Sequence, residues 1–183
     1  MKTQRSLASY YHYAFPMQTI LVTCTDAQGK TNIITLAWHT PISRNPPLYG
    51  ISVSPKRYSH GCIQKAKEFV INFVPYTLAQ QADYCGTHSG RTTDKARDTH
   101  LTFAPSTKLK TLLLNEGYAH LECTLKQIIS IGDHDLLVGE VVAITADDDS
   151  FSNELLNIEH RQPLYYIGDS TYTTLDPTVR KAF

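Results

Sequence analysis

The sequence predicts a mainly β protein, a closed antiparallel or Greek-key barrel with a few peripheral helices. Three observations carry that class. Apolar, β-branched runs recur along the chain, enough for six or more strands. The runs follow one another as hairpins, with turn chemistry between them. Alternating βαβ units and a G-x-G-x-x-G fingerprint are both missing, which argues against a dinucleotide-binding sheet. At 183 residues, with no internal repeat and no Gly, Ser or Pro linker, one domain spanning 1–183 is expected.

The first strand is "MQTILVTCT" (Met17 to Thr25), and "DAQGK" supplies the turn into "TNIITLAWHTPIS" (Thr31 to Ser43). A further strand, "PLYGISVSP", is bounded by Pro47 and Pro55. Ser59 is a good N-cap for a short helix that feeds "EFVINF". "TLAQQADYC" (Thr77 to Cys85) reads as a second helix, capped by Thr77 and stopping at Gly86. "AHLECTLKQIISIG" and "LLVGEVVAITA" form a long hairpin about "GDHD". Asp147 to Asp149 lack the spacing of a calcium loop and read as a solvated turn, after which comes the aromatic, turn-rich "PLYYIGDSTYTTL".

Seventeen basic residues balance seventeen acidic ones, which argues against nucleic acid or an anionic membrane as a partner, so any anion site must be local. "SLASYYHYAFP" lacks the apolar run of a secretory signal and no segment approaches the roughly 20 apolar residues of a membrane span, so a cytoplasmic protein is expected. Cys24, Cys62, Cys85 and Cys123 are widely spaced with no C-x-x-C pair. They read as free, mostly buried thiols rather than metal ligands.

Four segments hold residue types suited to chemistry. In "TNIITLAWHTPIS", Trp38 is either a core aromatic or part of a stretch, Thr35 to Trp38, whose backbone amides line a planar ligand. In "SVSPKRYSHGCI", Ser52 and Ser54 alternate on one strand face, and Arg57 precedes a helix start. Amides and the helix dipole attract anions there, although Ser59 as a plain cap and Arg57 as a solvated side chain explain the pattern equally well. "CGTHSGRTTDK" is rich in donors, with Ser89, Gly90, Arg91 and Lys95, and reads as a surface loop or as half of an anion pocket. Histidine as a residue type can act as an acid or base near neutral pH, so His134, in "GDHD", can donate to developing negative charge, or simply face solvent.

In this order and spacing, "ILVTCTDAQGKTNIITLAWHTPIS", "PPLYGISVSPKRYS", "EFVINF", "CGTHSGRTTDK", "ECTLKQIISIGDHDLLVGEVV" and "PLYYIG" resemble the flavin reductase-like family of FMN-binding split barrels, which includes flavoredoxin and archaeal ferric reductase. The resemblance implies a six-stranded antiparallel Greek-key split β-barrel, a homodimer, and one FMN per subunit near the dimer interface. Carried across residue by residue, Thr35, Leu36, Ala37 and Trp38 would pack on and hydrogen-bond the isoalloxazine ring. Ser52 and Ser54 would reach the ribityl chain or phosphate, Arg57 and Ser59 the phosphate, and Ser89 and Lys95 would complete that pocket. His134 matches a histidine that lies near the flavin or nicotinamide in some relatives, and is the candidate catalytic residue. Ala96 stands where many relatives carry an aromatic, so packing beneath that loop should differ.

The activity implied is electron transfer from NADH, NADPH or a redox protein through FMN to a flavin, ferric or other acceptor. The flavin would carry the chemistry, while the protein set orientation and electrostatics. Two alternatives stand beside it: a non-catalytic FMN-binding protein of the same fold, and a β-barrel interaction protein without flavin.

Overall fold

A computed structural model of the chain describes residues 2–181. After a 3₁₀ segment, Leu7–Ala14, come strands β1 (Met17–Gln18), β2 (Ile20–Thr25), β3 (Thr31–Leu36), β4 (His39–Ser43) and β5 (Leu48–Val53). Helix α1 (Tyr58–Ala66) leads into β6 (Glu68–Phe73), and helices α2 (Ala79–Thr87) and α3 (Lys95–Thr99) follow. Two short strands, β7 (Phe103–Ala104) and β8 (Leu113–Leu114), precede the long pair β9 (Ala119–Ile131) and β10 (His134–Ala146). The chain ends through β11 (Phe151–Ser152), β12 (Leu155–Leu156), β13 (Tyr165–Gly168) and β14 (Thr171–Thr173).

The mainly β class with few helices holds, but the main sheet differs from the expected closed, six-stranded barrel. It has seven antiparallel strands in the order β3-β2-β6-β9-β10-β5-β4, and its edges, β3 and β4, do not pair with each other. The cause lies in the run from Thr31 to Ser43. It is two strands, because the chain leaves the sheet at Ala37 and Trp38 and crosses to the opposite edge, where β4 pairs with β5. The curled sheet stays open there apart from one bond, Ser52 N–H to the Trp38 carbonyl at 2.9 Å.

β2 is buried on both faces, which explains its mostly apolar and β-branched sequence. Ile20, Val22 and Cys24 join a core with Ile34, Ile51, Phe69, Ile71 and Leu137, covered by Cys62 and Ile63 of α1. Leu21 faces a second cluster with Ile33, Ala82, Cys85, Leu101 and Leu164, against which Ala96 packs. The β9–β10 hairpin turns on Gly132 and Asp133, and Gly132 has the positive φ (66°) that primed turns require.

Two helix ends lie elsewhere than the sequence suggests. Ser59 is not the cap of α1: Arg57 holds that position, with no side-chain bond to the helix, and Ser59 lies inside the first turn. Thr77 belongs to a 3₁₀ turn, Tyr76–Leu78, and α2 runs through Gly86 to Thr87. Gly86 lies inside α2 rather than past its end, and a Cβ there would meet the Thr35 side chain at an ordinary contact distance of 3.4 Å.

A half-buried histidine, His39, and a buried one, His120, make stability pH-dependent. His39 bonds to the Tyr49 hydroxyl (2.7 Å) and the Gln18 carbonyl (2.9 Å), and His120 to Asn72 Oδ1 (2.9 Å). Burial lowers both pKa values below the ordinary 6.5. The folded state thus disfavours the protonated rings, so their contribution is whole above pH 6.5 and is lost as pH falls from there through the lower folded values. The melting temperature should drop between pH 7 and pH 5, and His120→Gln should flatten that slope. An unchanged slope would remove His120 from the account.

Candidate functional site

The bend at Ala37 and Trp38 opens a cleft of about 190 Å³. Ile34, Thr35 and Leu36 at the end of β3 form one side, and Ser52 and Val53 of β5 with Ser54 just beyond it face them. Phe15, Trp38, Tyr166 and His134 supply aromatic walls. Trp38 is half-buried between Tyr11 (5.8 Å between ring centroids) and His134 (5.1 Å), and Phe15 meets Tyr166 at 5.3 Å. Trp38 therefore lines the cleft instead of filling the core. His134 also bonds through Nδ1 to Asp133 Oδ1 at 2.9 Å.

β3 is a sheet edge, so alternate residues turn their backbone groups away from β2. The Ile33 carbonyl accepts a bond from the Lys95 Nζ at 2.8 Å and is therefore one of the outward set. Strand alternation turns the N–H and C=O of Thr35 the same way, into the cleft that Thr35 lines. A flat ligand there meets backbone donors without any special side chain.

Arg57 connects this cleft to a second one of about 240 Å³. Lys56, Arg57, Arg91 and Lys95 line it together with Ser59 and Ser89, and no carboxylate does. In a chain of zero formal net charge, that is a local excess of cations. The α1 N-terminus points its own positive end here, because Arg57 leaves the first amides without a side-chain cap.

Lys95 is placed differently from an exposed point charge. It is buried, its ammonium donating to the carbonyls of Ile33 (2.8 Å) and Cys85 (2.6 Å). Two of its three protons are thus spoken for, and the third is left for the cleft that Lys95 lines. Burial lowers its pKa, and no carboxylate is among the groups that act on it. An anion in the cleft would be its missing partner.

The loop from Ser89 to Asp94 is clasped onto this end. Arg91 lies over the Tyr58 ring (5.4 Å to the centroid) and donates to the Lys56 carbonyl at 3.4 Å. The Ser89 carbonyl accepts from the amides of Thr92 and Thr93, both at 3.1 Å. Gly90 must be glycine for space, since a Cβ would collide with Asn32. Asn32 in turn donates to Ser59 Oγ at 2.8 Å, which holds that hydroxyl at the cleft.

A third chamber of about 310 Å³ continues from the first past Thr35, Ala37 and Arg57 to Asp83, Ser170 and Tyr172. Thr19 lines it, fully buried, with no hydrogen-bond partner for its hydroxyl. An unpaired buried hydroxyl is costly, and a ligand group would relieve that cost.

All eleven residues singled out in the sequence line the first two clefts. Thr35, Leu36, Ala37, Trp38, Ser52, Ser54 and His134 meet in the first, Ser59, Ser89 and Lys95 in the second, and Arg57 in both. Sequence reasoning passed over Phe15, Thr19, Asn32, Lys56 and Tyr166 as site residues. Tyr166 and Lys56 lay inside quoted motifs, "PLYYIG" and "KRYS", and Asn32 stood out as a polar residue in a β-branched strand.

Fold and clefts together define a small, mainly β protein whose aromatic slot runs into a cation-lined end. The chain belongs to the flavin reductase-like family, whose domain model matches residues 12–175. It is similar to the crystal structure of an FMN-binding protein from Thermus thermophilus, with 30% identity, 99% of this chain and 98% of that one covered, and a TM-score of 0.82. Flavoredoxin of Desulfovibrio vulgaris (Miyazaki F) shares the fold, with a TM-score of 0.87 at 24% identity over 99% and 98% of the two chains. An NADH:riboflavin 5'-phosphate oxidoreductase of Streptomyces pristinaespiralis is 26% identical over 128 residues, 70% of each chain.

The donor set fits a phosphorylated flavin. Such a ligand has a flat, largely apolar ring with hydrogen-bonding edges, a polyol chain and a dianion. The clefts offer aromatic walls with edge-strand amides, two serines at the end of β5 and just past it, and four cations with no carboxylate.

Proposed function

We propose that the protein is an FMN-dependent oxidoreductase of the flavin reductase type, accepting electrons from NADH, NADPH or a redox protein and delivering them to a flavin, ferric or other acceptor. The observation that carries this reading is the carboxylate-free cluster of Lys56, Arg57, Arg91 and Lys95 joined through Arg57 to the aromatic slot. The names of two relatives, an FMN-binding protein and an NADH-dependent riboflavin phosphate oxidoreductase, support it.

Bound FMN would supply the redox chemistry, taking a hydride equivalent and releasing electrons one or two at a time. Arg57, Lys95, Ser59 and Ser89 would hold the phosphate, with the α1 amides adding their dipole. Ser52 and Ser54 would bond the ribityl chain or phosphate. Thr35 to Trp38 would carry the ring, their backbone N–H groups stabilising negative charge at its edge. His134, tilted against Trp38 and bonded to Asp133, would donate a proton or hydrogen bond to the reacting pair.

We further read the protein as a cytoplasmic, single-domain homodimer; no helix among the described residues is long and apolar enough to cross a membrane. An apolar hollow of about 800 Å³ lined by Phe73, Tyr118, Leu121, Ile144 and Phe151, with Ile144 69% exposed, supports self-association. A second reading, a binding protein without a donor reaction, draws support from the Thermus thermophilus relative's name alone. Rapid mixing of the FMN-loaded protein with NADH and with NADPH separates them. The reductase reading expects bleaching of the flavin absorbance with at least one donor, and no bleaching with either would favour the binding protein.

A further inference from the structure

The 3₁₀ arm Leu7–Ala14 is held by little of its own chain. The Ser6 hydroxyl caps it, accepting from the Ala8 amide at 3.2 Å, yet none of its residues is buried. Leu7, Tyr10 and Tyr13 are 87%, 67% and 65% exposed. Large apolar groups exposed so close together mark a surface that meets a partner. We propose that the arm of one copy seats in the apolar hollow of a second copy, and that the partner thereby fixes one wall of the aromatic slot.

The hollow matches the arm in chemistry and in sign. Its apolar bed includes Phe73, Tyr118, Ile144 and Phe151, and at about 800 Å³ it has room for aromatic side chains. Its charged lining residues are all acidic: Asp147, Asp148 and Glu154. Asp147 already meets Arg161 at 3.1 Å, whereas Asp148 and Glu154 form no ion pair among the described residues. Residues 2–16 carry Lys2 and Arg5 and no acidic residue. Both cations are exposed, and they too form no ion pair among the described residues. Opposite charges at the rim of an apolar contact set its register and exclude wrong pairings.

The occupant is a second copy because each chain's own arm is engaged at its own slot. Tyr11 packs on Trp38 (5.8 Å between ring centroids) and His12 stacks on Phe15 (5.8 Å). Arm and hollow nevertheless adjoin. Phe15, just past the arm, lines the slot, and Gln18 lines the hollow, where its amide donates to the Tyr118 hydroxyl at 3.2 Å. A two-fold axis placed at this junction lays each arm over the other copy's hollow. Such a contact is self-complementary and closes at two chains.

The inference rests on the homodimer reading above, and its consequence for the slot rests on the FMN reading. Tyr11 backs Trp38 and Phe15 lines the slot, so a seated arm holds both aromatics in place before a flavin arrives. A monomer must order them on binding. Loss of the dimer should therefore weaken FMN roughly threefold to tenfold, the effect of immobilising one or two side chains.

The test is sedimentation equilibrium of the full-length protein and its variants, each paired with an FMN titration. The parent should be a dimer, and Ile144→Arg in the hollow should dissociate it. Reversing the arm cations (Lys2→Glu with Arg5→Glu) should weaken the dimer at least about tenfold by setting like charges face to face, and adding Asp148→Lys and Glu154→Lys should restore it. These four positions are surface sites, so the reversal and its rescue report on the contact and not on folding. A parent dimer that survives both Ile144→Arg and the arm reversal overturns the arm-in-hollow contact and leaves the homodimer reading standing, whereas a monomeric parent overturns both. Dissociated variants with unchanged FMN affinity overturn the coupling to the slot. A parent dimer that takes up no FMN overturns the flavin reading and leaves the docking standing.

Discussion

Arg57→Ala should weaken FMN binding by about 1.5 to 3 kcal/mol and leave riboflavin almost unaffected, because a charge-assisted hydrogen bond to phosphate is lost and none to the ring. Arg57 is the one cation that lines both the aromatic slot and the cation-lined cleft, and its side chain is exposed, so its removal leaves no buried group unpaired. Lys95→Ala should have an effect of the same size on FMN, with an added loss of stability. Its ammonium serves the carbonyls of Ile33 and Cys85, which alanine cannot. Calorimetric titration of each variant with both ligands checks this. Equal losses for FMN and riboflavin would show that neither side chain meets a phosphate.

Glu122→Ala should destabilise the fold by on the order of 3 to 5 kcal/mol while leaving the clefts intact, since a buried carboxylate is removed from several donors at once. Glu122 on β9 is fully buried and accepts from the amides of Thr107 (2.7 Å), Lys108 (2.7 Å) and Leu109 (3.1 Å) and from the Thr107 hydroxyl (2.6 Å). Burial alone would raise its pKa, but the bonds from Thr107, Lys108 and Leu109 hold it below the ordinary 4.5. Its contribution is therefore present above pH 4.5 and lost as pH falls through the lower folded value. Urea unfolding of Glu122→Ala beside the parent measures the effect. A loss under 1 kcal/mol would mean that water replaces the carboxylate.

Much of the fold was legible because its signals are local. β2 and β6 carry mostly apolar and β-branched runs, and Gly132 marks the tip of the long hairpin. The break at Ala37 and Trp38 was not legible, since "TNIITLAWHTPIS" keeps strand-like residues on both sides of it. What bends the chain there is pairing of β4 with β5, a long-range choice. Helix starts were misplaced for a related reason: Ser59 has the right chemistry for a cap, but its hydroxyl is taken by Asn32 from another strand. Gly86 looked like a stop signal and instead lies within α2, one residue before its end.

The candidate site was legible as a set of residues and less so as an environment. "KRYS" and "SGRTTDK" are some thirty residues apart, and their charges showed that an anion pocket was affordable to this sequence. That Lys95 would be buried on two carbonyls, that Arg91 would lie on Tyr58, and that Phe15 would wall the slot depend on packing between distant segments. Such contacts leave no periodicity to read.

The central claim is that the slot and the cation-lined cleft together hold one FMN. Titrating the purified full-length protein with FMN, and following the visible absorbance and the quenching of flavin fluorescence, tests it directly. Saturation at one FMN per chain, with riboflavin binding more weakly, is the expected result, and absence of any saturable uptake would contradict it.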